Sequence, residues 1–164
     1  MAVVERAKLV GDPERRRLPA DMAQALDVQL PSAPPPEYAP VTWDSVRRMQ
    51  GEGVEIGAHT RSHPILSRLA GHQALEEEIV GSARRIGEMT GRSPRHFCYP
   101  NGRPDDVTAE TVAAVRAGGF RTAVTTQPGF ADPASDPFRL KRIGAGPETP
   151  PAYFRRAVAG FRIS

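Results

Sequence analysis

The chain has 164 residues, which is enough for one domain with a hydrophobic core. Its formal net charge is only +3, and its basic residues are scattered without interleaved aromatic residues, so nothing predicts a nucleic-acid partner. The single cysteine, Cys98, excludes an internal disulfide, and no run approaches the roughly 18 apolar residues of a membrane span. The N-terminal residues lack the apolar stretch of a signal peptide, so the chain as written is expected to be cytoplasmic and without a membrane partner.

The first 40 residues are predicted to form a segment without a core of its own. Residues 1–30 mix charged and apolar positions and suggest short helices broken by turns. The proline-rich stretch 31–36 cannot form a helix or a central strand and is expected to be extended. We therefore divide the chain into an N-terminal helical and proline-rich segment, residues 1–40, and a βα domain, residues 41–164.

From residue 41 the pattern predicts helices that alternate with strands. The predicted helices run from Trp43 to about Met49, from about His72 to Thr90, from Thr108 to about Ala117, and from Pro150 to about Phe161. The predicted strands are Val54–Ala58, His96–Tyr99, Arg121–Thr126 and Phe138–Ile143. Strands separated by helices imply βαβ units and a mostly parallel sheet.

Two histidines, His59 and His63, follow the first of these strands directly. In α/β folds, ligands and catalytic groups collect at the carboxyl ends of the strands. If residues 60–64 make one helical turn, the two rings project to one side, where they can serve as two of the three protein ligands of a catalytic zinc ion. The alternative is a pair of surface histidines in a loop, but the preceding strand and the following Pro64 favour a metal site.

Two stretches of the chain resemble signatures of the polysaccharide deacetylase (NodB-homology) family. Residues 54–67 resemble the second signature, and residues 97–102, Phe-Cys-Tyr-Pro-Asn-Gly, resemble the third. The resemblance extends over roughly residues 38–146. It implies an α/β fold of the (β/α) barrel type and a hydrolase of carbon–nitrogen bonds other than peptide bonds. Such an enzyme removes acetyl from an N-acetylated sugar with water that Zn²⁺ or another divalent metal makes nucleophilic.

The resemblance also assigns expected roles to individual residues. His59 and His63 become metal ligands, and the backbone N–H of Asn101 becomes a donor to the tetrahedral oxyanion. Tyr99 and Pro100 become part of the substrate-binding segment, although packing is the simpler role for Tyr99. An ordinary Asn-Gly turn is the alternative for Asn101. Cys98 stands where many members have an arginine, and a small buried hydrophobe is the simplest role for it.

The chain departs from the family pattern at two points. Nothing before residue 41 resembles the first signature, a strand ending in Thr-Phe-Asp-Asp that supplies the general base and the third metal ligand. The late general-acid histidine is replaced, since Leu140 and Lys141 are followed by Arg142. Residues 105–106 are both aspartates that can approach the metal, but a solvated acidic turn is the simpler interpretation.

These departures predict a partial barrel whose first strand or strands are missing. The metal would be weakly held, and the chain alone would be weakly active or inactive. The alternatives are a non-catalytic, degenerate homologue that keeps metal or carbohydrate binding, and one half of a split enzyme. An unpaired strand edge predicts either a homodimer, a complementing N-terminal chain, or partial covering by residues 1–40.

Overall fold

The structure is a computed structural model that describes residues 2–161. Its helices are α1 (Ala2–Ala7), α2 (Asp12–Ala25), α3 (Trp43–Gly51), α4 (His72–Thr90), α5 (Ala109–Ala117) and α6 (Pro151–Val158). Its strands are β1 (His96–Cys98), β2 (Thr122–Pro128) and β3 (Leu140–Arg142). Short 3-10 turns occur at Pro36–Tyr38, Leu66–Arg68 and Pro104–Asp106. Within the described range, every helix is too short or too polar to cross a membrane.

The three strands form one parallel sheet in the order β1-β2-β3. In its register, His96 faces Thr122 and Cys98 faces Val124. Helix α4 leads into β1, and α5 connects β1 to β2, so the chain follows the alternation of helices and strands that the sequence predicts. The prediction of a parallel α/β arrangement is confirmed.

The predicted strand over residues 54–58 is wrong for most of its length. Only Ala58 makes a ladder contact: its N–H donates to the His96 carbonyl at 2.9 Å, and its own carbonyl accepts from the Cys98 N–H at 2.9 Å. Because β1 is three residues long, it offers partners only to the end of this segment. Val54, at the other end, is about half exposed.

Local capping signals set the bounds of the central helices. The Thr42 hydroxyl accepts from the Ser45 N–H at 3.2 Å and begins α3, and Thr108 does the same for α5. Gly91 ends α4 in the left-handed region, with φ 73°. The predictions for these three helices are confirmed.

The hydrophobic core lies between the sheet and helices α4 and α5. The ring of Phe97 is at its centre, 5.4 Å from the ring of Tyr99 and 5.2 Å from that of Phe120. Helix α4 contributes Leu75 and Ile79, both almost fully buried. Packing in the core therefore fixes the position of β1 and, with it, the position of the residues that follow β1.

The N-terminal segment forms the expected short helices and lies against the histidine loop. Among its described side chains, only that of Ala23 is buried. Arg15 donates to the Ser62 carbonyl at 3.2 Å, and Arg16 donates to the Ser62 hydroxyl at 2.6 Å. Arg15 and Arg16 thus tie this segment to the histidine loop, and its division from a separate domain at residue 40 stays a prediction.

Candidate functional site

The two histidines meet in the loop that follows the Ala58 bridge. Their ring centroids are 4.7 Å apart in an edge-to-face arrangement. Residues 60–64 do not make a helical turn, since Thr60 (φ 66°) and His63 (φ 59°) both adopt the left-handed region. That conformation is unusual for a β-branched residue such as Thr60 and costs about 1–3 kcal/mol. Two left-handed residues in the loop therefore bring the rings of His59 and His63 together. Backbone strain of this kind is typical of functional sites.

The His59 ring is oriented by a backbone carbonyl. Its Nδ1 lies 2.7 Å from the carbonyl oxygen of Cys98. A carbonyl oxygen can only accept, so Nδ1 carries the hydrogen in the neutral ring and Nε2 keeps its lone pair. Histidines that bind metals are usually held in this way by a second hydrogen bond.

The surroundings shift the pKa values of the two imidazoles in opposite directions. Hydrogen bonding to Cys98 raises the pKa of His59 above its ordinary value, although burial opposes the shift. Partial desolvation, followed by the charge of the neighbouring His59, lowers the pKa of His63. His63 is therefore the ring that stays neutral, and able to ligate a metal, to lower pH.

Glu78 on α4 anchors the histidine loop, a role that the sequence does not reveal. Its carboxylate accepts from the Arg61 N–H at 2.8 Å, from the Ser62 N–H at 2.9 Å and from the Ser62 hydroxyl at 2.6 Å. In the sequence, Glu78 belongs to an acidic run near the start of a helix, where negative charge suits the helix dipole. Only the tertiary structure shows that this one carboxylate faces the loop.

Asn101 lies at the turn that follows β1. Its φ is 60° and that of Gly102 is 58°, and Asn and Gly are the residues that tolerate this conformation best. The Asn101 carbonyl accepts from the Thr126 hydroxyl at 2.8 Å. Within residues 2–161 the backbone N–H of Asn101 has no hydrogen-bond acceptor, and its role as an oxyanion donor stays a prediction.

His63 and Asn101 line the same cavity, which has a volume of about 740 Å³. His59 joins them through its hydrogen bond to Cys98, three residues before Asn101. The structure thus pairs the rings of His59 and His63 and places His63 and Asn101 in the wall of one cavity, while His59 is not among the residues that line it.

Tyr99 and Pro100, the predicted substrate-binding residues, are fully buried. The Tyr99 hydroxyl donates to the Phe138 carbonyl at 3.0 Å, and desolvation raises the pKa of that hydroxyl. Any contact of this segment with a substrate would therefore come from the backbone rather than from these side chains. Substrate binding here stays a prediction.

Of the two aspartates that follow, Asp106 is internal. Its side chain is only 6% exposed and accepts from the Asn101 side-chain amide and from the Arg103 N–H. The expectation of a solvated acidic turn is wrong for Asp106 and holds for Asp105, which is exposed. Within the described residues, no three His, Cys, Asp or Glu side chains come together closely enough to hold a metal ion. Neither aspartate completes a ligand set.

We expect Asp106→Ala to lower the free energy of unfolding by about 1–3 kcal/mol, because it leaves partly buried donors of Asn101 and Arg103 without their acceptor. Urea denaturation followed by circular dichroism measures this. Asp105→Ala is the matched control, since it removes an exposed neighbour, and should change stability by less than about 0.5 kcal/mol. Equal effects of the two substitutions would show that Asp106 does not support the turn.

Arg142 reaches the site from β3. Its Nη1 lies 3.5 Å from the Cys98 sulfur, and its Nε donates to the Thr125 carbonyl at 2.6 Å. Burial alone would raise the pKa of the Cys98 thiol, but the hydrogen bond and charge of His59 and the charge of Arg142 outweigh it, so the pKa is lowered. The residue that replaces the expected late histidine therefore lies beside Cys98, which also orients His59.

Comparisons with known proteins identify relatives of this chain. The polysaccharide deacetylase family model matches residues 23–123, a range that includes His59, His63 and Asn101. YxkH of Bacillus subtilis (strain 168), whose name assigns it to the polysaccharide deacetylases, is 28% identical over 107 residues, covering 65% of this chain and 37% of YxkH.

Solved structures show the same fold. A polysaccharide deacetylase from Bacillus cereus has a TM-score of 0.64 at 22% identity, covering 74% of this chain and 37% of that chain. The Streptococcus pyogenes deacetylase PplD, solved in complex with acetate, has a TM-score of 0.67 at 22% identity, covering 78% of this chain and 54% of that chain. This chain therefore spans between about a third and about a half of the length of these relatives. Because the family model matches more than half of it, the chain belongs to the polysaccharide deacetylase family.

Proposed function

We propose that the protein removes acetyl groups from N-acetylated sugars with the help of a divalent metal held by His59 and His63. The carrying observation is the edge-to-face histidine pair, in which the Cys98 carbonyl fixes the tautomer of His59. The family relationship supports an amide hydrolase, and the S. pyogenes relative is described as a deacetylase in complex with acetate. Both observations favour the carbon–nitrogen bond of an N-acetyl group as the bond that is hydrolysed.

The two imidazoles of His59 and His63 are suitable ligands for a divalent metal, but a catalytic zinc ion usually has three protein ligands. Imidazole nitrogens suit zinc and also bind nickel or cobalt. A bound ion of this kind would polarise the amide carbonyl and acidify a water molecule. Since no third ligand joins the pair within residues 2–161, we infer that the metal is weakly held.

The chain's own contribution to the reaction is the N–H of Asn101. It would donate to the carbonyl oxygen of the amide as negative charge develops there, while the fixed turn after β1 keeps it aimed. The Glu78 carboxylate is engaged with the backbone of the histidine loop, and the Asp106 carboxylate is engaged with Asn101 and Arg103. We infer that neither carboxylate is placed to take a proton from water. We therefore infer weak activity or none for this chain alone.

We infer that the three parallel strands are part of a (β/α) barrel whose first strand is not present in the described residues. The Ala58 segment would be the neighbour of that strand, because it pairs with β1 on one side only. The partial coverage of the relatives supports this inference.

Titration of the full chain with Zn²⁺, measured by isothermal calorimetry, tests the metal site. We expect one weak site that the His59→Ala/His63→Ala double variant loses, because both imidazole ligands are gone. His72→Ala, which removes an exposed histidine at the start of α4, is the matched control and should bind zinc as the unchanged chain does. Tight, stoichiometric zinc in the double variant would refute the assignment.

A second candidate is a chain that binds but does not catalyse, either as a degenerate homologue or as one half of a split enzyme. The observation that favours it is the incomplete ligand set around the histidine pair. Binding of N-acetylglucosamine oligomers by the chain, without release of acetate under any metal loading, would support this candidate over the enzyme.

A further inference from the structure

The cavity that His63 and Asn101 line is bounded mainly by apolar side chains. It has a volume of about 740 Å³, within the range of about 300–1,000 Å³ typical of sites that enclose small organic ligands. It lies between the N-terminal helices on one side and residues 63–69 on the other, with Asn101 and His63 in its wall.

The wall of this cavity is mainly aliphatic. Its largest apolar side chains are Leu18, Met22, Leu26, Leu30, Ile65 and Leu69. Several are only partly covered by protein, since Leu26 is 66% exposed and Leu30 is 57% exposed. A sugar presents hydroxyl groups that would find few partners here, whereas an alkyl chain would cover these side chains.

The charged side chains that the structure describes in the wall are all basic. Lys8, Arg15 and Arg68 line the cavity, and no Asp or Glu does so among the described residues. Lys8 is paired with Glu5 at 2.8 Å, and Arg15 donates to the Ser62 carbonyl. Arg68 is exposed, and within residues 2–161 its side chain has no hydrogen bond or ion pair.

We propose that this cavity binds a fatty acid, with the alkyl chain against the leucine-rich wall and the carboxylate among Lys8, Arg15 and Arg68. An aliphatic wall with a basic set of charges is complementary to a ligand that is apolar along its length and anionic at one end. The proposal goes beyond deacetylation and does not rest on it, because binding needs neither the metal nor turnover.

The direct test is displacement of a fluorescent fatty acid, dansyl-undecanoic acid, from the full chain in buffer that contains EDTA. Octanoate, decanoate and laurate are compared below their micelle concentrations. We expect each pair of added methylenes to tighten binding by roughly 15-fold, because each buried methylene contributes about fourfold. Dodecanol and dodecyltrimethylammonium, which have the same chain with a neutral or positive end, should bind several-fold more weakly than laurate.

Two substitutions locate the site. Leu26→Asp should weaken laurate binding by about tenfold or more, because it sets an unpaired carboxylate against the alkyl chain. Leu9→Asp is its matched control: Leu9 is 74% exposed and outside the cavity wall. Arg68→Glu should weaken laurate binding and leave dodecanol binding unchanged, whereas Arg121→Glu, at an exposed arginine away from the cavity, should change neither.

Four results would overturn the proposal. One is affinity that does not depend on chain length. Another is laurate binding that Leu26→Asp leaves intact while its circular dichroism melt matches that of the unchanged chain. The third is a concentration-dependent dimer that Leu26→Asp abolishes, in a chain to which laurate does not bind, since the cavity wall would then be an interface between two copies. Uptake by phosphatidylcholine vesicles without binding of monomeric laurate would likewise assign the wall to a lipid surface and contradict the proposal. Because the assay excludes metal, failure of the deacetylase proposal would leave its outcome unchanged.

Discussion

Addition of the first family signature, a strand ending in Phe-Asp-Asp, is expected to raise acetate release by roughly 10²- to 10⁴-fold over the full chain alone. The segment can be taken from a polysaccharide deacetylase and supplied either as a fusion or as a separate peptide. One aspartate would accept the proton from water, and the other would join His59 and His63 as the third metal ligand. Acetate release from N-acetylglucosamine oligomers, measured with and without a chelator, gives the result.

Two controls separate this effect from simple stabilisation. A segment with both aspartates replaced by asparagine has the same length and shape but lacks the proton acceptor, and it should restore no activity. The His59→Ala/His63→Ala variant should not respond to the intact segment. Robust, chelator-sensitive acetate release by the unsupplemented 164-residue chain would contradict the account, because a base among its own residues would then have to exist.

Phe97→Ala is expected to lower the free energy of unfolding by about 3–5 kcal/mol. The Phe97 ring is 1% exposed and packs against Tyr99 and Phe120, so truncation leaves a cavity at the centre of the core. Because β1 also positions the Cys98 carbonyl, zinc binding by His59 should weaken along with stability. Urea denaturation and zinc titration of the same variant measure the two effects.

The matched control is Phe154→Ala on α6, where the ring is 50% exposed. It should change the free energy of unfolding by less than about 1 kcal/mol and leave zinc binding unchanged, since little buried area is lost. If the two variants lost similar stability, the core would not be centred on Phe97.

The helices of the central domain could be predicted because their signals are local. The hydroxyls of Thr42 and Thr108 each accept from the backbone N–H three residues later and so cap their helices. Gly91 ends α4 in the left-handed conformation, which favours glycine. A strand cannot be predicted from local signals alone, since its hydrogen bonds are made with a partner strand elsewhere in the chain. The residues 54–58 have the composition of a strand, yet only Ala58 meets the short β1.

In the candidate site, too, some features could be predicted from the local sequence and others depend on contacts between distant segments. The sequence predicts that the rings of His59 and His63 project to one side if residues 60–64 make a helical turn. The structure brings the rings together without that turn, because Thr60 and His63 are left-handed. The role of Glu78 and the burial of Asp106 depend on contacts between distant or folded-back segments. Composition and periodicity carry no information on which member of an acidic run turns inward.

A zinc-soaked crystal of the full chain tests most directly whether His59 and His63 share one metal ion. We expect one anomalous peak at the zinc edge, about 2.0–2.1 Å from an imidazole nitrogen of each histidine, with the Nδ1 of His59 still on the Cys98 carbonyl. No peak between the two rings at saturating zinc, or a peak coordinated by other residues, would contradict a shared metal ion.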